Sequence, residues 1–183
     1  MRKILMIGLV LGLACGCSHL KGEHKITPIG SQQMMIEPGK SFEVKVFSDV
    51  ATEGEMFQLQ QSLVKALESK GLKLDIDNPG NPDFGNPDFK IRIAITNIVR
   101  ISRAKKMWLG YFVGVGTVET TVETTDADGN RNEFAVFAKA PFPTYGFGNK
   151  PIMWSNSWLG TTRMALEECA KRIADYLTTQ PGA

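Results

Sequence analysis

Residues 117–140 read Thr117-Val118-Glu119-Thr120-Thr121-Val122-Glu123-Thr124-Thr125-Asp126-Ala127-Asp128-Gly129-Asn130-Arg131-Asn132-Glu133-Phe134-Ala135-Val136-Phe137-Ala138-Lys139-Ala140, and their period decides the fold. Val118 and Val122 share one face opposite Glu119 and Glu123, which is the period-two mark of a half-buried strand. Phe134, Val136 and Ala138 form the matching face of a partner strand. Bringing the two faces together requires Val122 opposite Phe134, with a three-residue loop at Ala127-Asp128-Gly129 and Gly129 in the left-handed region. The same Asp/Asn-rich run superficially resembles a calcium loop. Aligning Gly129 with the loop glycine, however, puts Thr124 and Ala135 where acidic ligands belong, so the run is read as a turn.

Outward from this hairpin, the chain alternates strand and helix. Lys90 to Ser102 is a strand with Ile91, Ile93 and Ile95 on one side, and Asn97 marks a bulge where Ile98 and Val99 break the alternation. Phe42, Val44 and Val46 alternate with Glu43 and Lys45 in a further strand. Thr52 and Glu55 have capping-box spacing, and Met56, Leu59, Leu63, Ala66 and Leu67 then recur at helical intervals, so a helix over 54–70 is expected to end at Gly71. Leu72 to Asp77 alternates again as a short strand. The last helix, over 161–178, turns Cys169, Ile173 and Leu177 inward and Glu167, Glu168, Lys171 and Arg172 outward. The expected fold class is α+β: a single domain over 41–180 whose mixed, mostly antiparallel sheet carries two helices, in the order β-α-β-β-β-β-α. Between the third and fourth of these strands and helices, Gly80-Asn81-Pro82-Asp83-Phe84 is copied at once as Gly85-Asn86-Pro87-Asp88-Phe89. A duplicated surface loop is the expected reading, because lengthening such a loop costs only about 0.6 kcal/mol per doubling.

The N-terminus indicates an address. Arg2 and Lys3 precede an apolar run over 4–14, which has the form of an export signal and is roughly half the ~20 residues that a spanning helix needs. The run ends in Ala14-Cys15-Gly16-Cys17-Ser18, which resembles the lipobox of bacterial lipoproteins. That resemblance implies cleavage after residue 16 and lipidation of Cys17, with Cys15 as the alternative. It also implies anchoring at the outer membrane on its periplasmic face. Residues 17–40, with scattered Gly and Pro and no sustained period, are expected to be a flexible tether spanning about 25 to 30 Å.

Removal of the signal changes the charge balance. The whole chain has 21 Lys+Arg against 19 Asp+Glu, and loss of Arg2 and Lys3 leaves 19 against 19. A neutral chain lacks the basic footprint of a general nucleic-acid binder. With Cys17 acylated, Cys169 has no disulfide partner, and it is expected as a buried core thiol because no histidine lies beyond residue 24 to activate it. His19 and His24 on a tether lack the further ligands of a metal site.

The lipobox, the strand-helix-strand order, Asp88-Phe89-Lys90-Ile91-Arg92-Ile93, the Trp108-Leu109-Gly110 turn with Gly114-Val115-Gly116, the Thr/Val/Glu hairpin with Asp128-Gly129 and the terminal helix together resemble a family of uncharacterised bacterial lipoproteins, a domain of unknown function. The resemblance covers roughly residues 40 to 178 and implies a fold and an address without an activity. At the level of element order the chain is also similar to curli-secretion lipoproteins and to lipoprotein activators of penicillin-binding proteins, which is fold analogy alone.

Signatures of nucleotide, hydrolase or zinc-protease chemistry are missing from the sequence, and Gly114-Val115-Gly116 lacks the third glycine of a dinucleotide fingerprint. Asp83 with Asp88, or Glu119 with Glu123, are the carboxylate pairs that glycan cleavage would need, but they belong to a duplicated loop and to a strand face. No enzyme, cofactor or metal is expected. Two surfaces are candidates for binding. Arg100, Arg103, Lys105 and Lys106 precede Trp108, Tyr111 and Phe112, and this basic segment suits lipid phosphates or an acidic partner. Tyr145, Phe147, Trp154 and Trp158 lie in a twenty-residue loop that either caps the sheet or docks an envelope protein. The expectation is a non-catalytic binding or accessory subunit, with a homo-oligomeric component of an outer-membrane assembly as the alternative.

Overall fold

In the hairpin, Val122 lies opposite Phe134. The amide of Asp126 donates to the carbonyl of Asn130 at 3.1 Å, which closes the loop over 127–129, and Gly129 has φ +84°. Gly129→Val is expected to cost about 1 to 2 kcal/mol, since a β-branched residue is strained at positive φ; urea unfolding of the variant measures it.

The computed structural model describes residues 24–30, 34–75, 87–101, 115–140 and 161–179. Within them run β1 (Lys25–Pro28), β2 (Ser41–Phe47), α1 (Glu53–Ser69), β3 (Lys73–Leu74), β4 (Phe89–Val99), β5 (Thr117–Asp126), β6 (Arg131–Lys139) and α2 (Thr162–Thr178). One six-stranded sheet has the order β1-β6-β5-β4-β2-β3. Its β2-β3 and β2-β4 pairings are parallel and the other three antiparallel, so the fold is the expected α+β arrangement. A register shift between Ile95 and Asn97 in the β4-β5 pairing marks the bulge.

Local chemistry sets the helix ends. Thr52 accepts from the amide of Glu55 and the Glu55 carboxylate accepts from the amide of Thr52, a complete capping box. At the other end, Gly71 at φ +86° lets its own amide reach the carbonyl of Glu68 while that of Leu72 reaches Leu67, the pattern of a Schellman motif. Both helices cover one face of the sheet. There Phe42, Ile91, Ile93, Val122 and Phe134 meet Leu59, Leu63, Leu166, Ile173 and Leu177 in a dry core. Cys169 is part of it, fully buried.

The expected tether over 17–40 is corrected from Lys25 onward. β1 pairs antiparallel with β6, from Lys25 opposite Phe137 to Pro28 opposite Phe134. Ile36 is buried and its amide donates to the carbonyl of Leu177 at 2.8 Å. Four residues ending in proline are too short for a legible period, and an edge strand is held by backbone bonds that any residue can make. Two bounds also shift. Among the described residues, the expected strand over 72–77 pairs at Lys73–Leu74, and β4 ends at Val99 rather than Ser102. Among the described residues, no helix is long and apolar enough to cross a membrane.

Candidate functional site

Topology gathers the loop stems at one end of the sheet. β4 and β6 end there, while β5 and α2 begin there, because β5 runs antiparallel to both of its neighbours. Backbone bonds tie these stems together: the amide of Ala140 donates to the carbonyl of Gly116 at 2.9 Å, and the amide of Ile101 donates to Oγ1 of Thr162 at 2.9 Å. β1 also starts at this end, since Lys25 lies opposite Phe137 near the end of β6. The segments 102–114 and 141–160, and the chain preceding residue 24, therefore all leave the domain on the same side.

Of the expected basic surface, only Arg100 lies among the described residues, and it is engaged rather than free. Its guanidinium donates to both carboxylate oxygens of Glu55 at 2.8 Å, and to the carbonyl of Val50. Arg100 thus ties the end of β4 to the capping box of α1, and this bidentate contact, followed by the bonds to Thr52, holds the Glu55 carboxyl below its ordinary range. Arg103, Lys105, Lys106, Tyr145, Phe147, Trp154 and Trp158 lie outside the described residues, as do Cys15 and Cys17.

Of the carboxylates considered for catalysis, Glu119 and Glu123 lie four residues apart on one face of β5. Asp88 accepts from the amide and hydroxyl of Ser41 at 2.8 and 2.9 Å and from Lys40 at 3.3 Å, while Asp83 lies outside the described residues. Asp88 thereby joins the start of β4 to the start of β2, and its bonds to Ser41 depress its carboxyl. A depressed carboxylate contributes stability above its unfolded range, near pH 4, and loses it as pH falls through the lower folded value. Asp88→Asn is therefore expected to destabilise the domain at pH 7, with the gap from the parent narrowing in urea titrations as the pH falls below the ordinary carboxylate range. The Cys169 thiol is pushed up to about 12, by burial first, with the Thr120 hydroxyl as its polar neighbour at 3.5 Å. His24 sits 3.8 Å from Glu168. No group of three metal-ligating side chains converges among the described residues.

A second surface was not anticipated. Opposite the helices, the sheet has a face that is bare among the described residues, and on it the register aligns the charges in rows. One row runs Lys45, Arg92, Glu123, Glu133 across β2, β4, β5 and β6, and the next runs Glu43, Lys90, Thr125, Arg131. Lys45 is 2.7 Å from Glu43, and Arg131 is 3.5 Å from Glu123. Arg92 lies over the Phe47 ring at 5.9 Å, and Phe47 is 49% exposed. A shallow depression of about 240 Å³ opens between Glu43, Lys45, Lys90 and Arg92. The hairpin register makes the Glu123 and Glu133 pairing readable in the sequence. The parallel register of β2 on β4, which sets Lys45 beside Arg92, has no such local signal.

A two-layer α+β domain, with both helices on one sheet face and, among the described residues, nothing packed on the other, is the class of protein these features define. The chain belongs to the family described as domain of unknown function DUF4410, which matches residues 48–142. No curated protein sequence matches significantly. Solved PelC structures share its fold. The PelC dodecamer from Paraburkholderia phytofirmans is 12% identical at a TM-score of 0.53, and a methionine-substituted PelC dodecamer from the same organism is 13% identical at 0.50. Each match covers 86% of this chain and 100% of the PelC chain. The hypothetical protein CT253 from Chlamydia trachomatis is 12% identical at a TM-score of 0.44, over 78% of this chain and 98% of the other.

Proposed function

We propose that this protein is a lipid-anchored envelope lipoprotein that works without catalysis, as a binding or accessory subunit held against the bilayer with its loop-bearing end toward the headgroups. The carrying observation is the direction of β1. It enters the sheet from the end where β4 and β6 finish; only six residues lie between Cys17 and His24, and the seven fully extended Cα steps joining them reach at most about 25 Å. A lipid on Cys17 then keeps the end where β4 finishes close to the membrane; the sequence that follows it holds Arg103, Lys105, Lys106 and Trp108, residue types that favour anionic headgroups. Cys17→Ala is expected to leave an unprocessed precursor that takes up no labelled fatty acid. Labelling that persists in Cys17→Ala and disappears in Cys15→Ala would move the anchor to Cys15.

A second element of the reading is self-assembly. The PelC chains that share the fold over their full length form dodecamers, which favours a homo-oligomeric component over a monomer docking an unlike partner through 141–160. Light scattering of the detergent-extracted full chain tests this: a defined multimer supports assembly, and a monomer across micromolar concentrations returns the reading to an accessory subunit with an unlike partner.

A further inference from the structure

Directly opposed like charges destabilise a sheet, and the bare face carries two such pairs side by side. Lys45 is opposite Arg92 on β2 and β4, and Glu123 is opposite Glu133 on β5 and β6. The row is therefore two cations followed by two anions. Among the described residues nothing packs over it, because both helices lie on the other face. We infer that this face binds a second copy of the chain, turned about a twofold axis that runs parallel to the strands between β4 and β5.

That rotation exchanges β4 with β5 and β2 with β6. Lys45 then meets Glu133 of the other copy and Arg92 meets Glu123, so each of the four charges in the row faces its opposite. The neighbouring row is complementary under the same operation, with Glu43 meeting Arg131 and Lys90 meeting Thr125. In the third row, Phe47, Ala94, Thr121 and Ala135, the exposed Phe47 ring comes over Ala135 of the other copy, where a small side chain leaves it room. Aligned sheets pack about 10 Å apart, within reach of Lys and Arg on one side and Glu on the other. The face spanned by β2, β4, β5 and β6 measures roughly 20 by 30 Å, about 600 Å². That approaches the ~800 Å² per partner of a standard interface.

This inference rests on the reading that the chain self-associates, and adds a surface that joins copies in pairs; a twofold contact closes at two, so any larger assembly is built from such pairs through a further contact. Lys45 and Glu133 stand at opposite ends of one row, three strands apart, so they do not touch within one copy, but the twofold brings them together. In the full chain extracted in detergent, Lys45→Glu and Glu133→Lys are each expected to weaken self-association at least tenfold, because each variant alone opposes like charges twice. Mixing the two variants in equal amounts is expected to restore the complex as a heterodimer, because every contact of that row is then attractive. Circular dichroism spectra at about 25 °C should be unchanged, and any fall in melting temperature should track the loss of self-association. Multimers insensitive to both substitutions would overturn the face and leave self-assembly standing. Monomers throughout would overturn both. A lowered melting temperature with no change in assembly would mean that this chain's own segments cover the face, which also overturns the proposal.

Discussion

Phe134→Ala is expected to lower the unfolding free energy by about 3 to 5 kcal/mol, the cost of deleting a large aromatic from a packed core. Phe134 is fully buried. It sits opposite Val122 in the hairpin and opposite Pro28 on the other side, and its ring centroid is 4.3 Å from that of Tyr176 on α2. One side chain thus links the central hairpin, the edge strand and the C-terminal helix, and its loss leaves a void that three separately tethered elements would have to fill. A domain stable by 5 to 15 kcal/mol would lose a fifth or more of its margin. Phe137→Ala is the matched comparison, because Phe137 lies on the same strand but on the bare face, half-buried, with Lys139 over its ring at 5.5 Å. Its cost is expected to stay under about 1.5 kcal/mol, since less apolar area is removed from cover. Urea unfolding of both variants measures the difference, and equal losses would mean that the bare face is packed.

What the sequence made legible follows from how local each signal is. The hairpin register needed only Val118, Val122, Phe134 and a glycine that tolerates positive φ, all within 25 residues. The helix start was written in Thr52 and Glu55, and its end in Gly71. Contacts between distant segments left no such trace. Arg100 reads as one cation of a basic run, yet it bridges 45 residues to complete the Glu55 cap. Asp88 reads as part of a duplicated loop, yet it clamps Ser41. β1 was missed because it is four residues long, with backbone bonds to β6 and a single side chain packed against the core, Ile26, too little to show a period. The bare face was missed for a related reason: alternation shows that Lys45 and Arg92 point away from the core, but only a parallel pairing with long-range register shows that they stand next to each other.

Gly116→Ala is expected to destabilise by about 3 kcal/mol, the upper end of the usual cost of overpacking, although it adds one methyl group. A Cβ at residue 116 would lie 2.9 Å from both the carbonyl carbon of Thr161 and the amide nitrogen of Thr162. Those atoms are backbone, so no rotamer change relieves the contact. The start of α2 would have to move away from β5, and Thr162 holds that start in place through its Oγ1 bond from the amide of Ile101. The carbonyl of Gly116 also accepts from the amide of Ala140, so the stems of both long segments, 102–114 and 141–160, are joined at this one residue. The damage should therefore be local before it is global. Hydrogen exchange at the amides of Ile101 and Ala140 is expected to accelerate far more than at Ile93 or Val122 in the sheet centre, and α2 should fray from its first turn. If the variant instead unfolds with uniform loss of protection, Gly116 acts through the core as a whole. Unchanged exchange at Ile101 and Ala140 would show that α2 can withdraw from β5 without disturbing the junction of the stems.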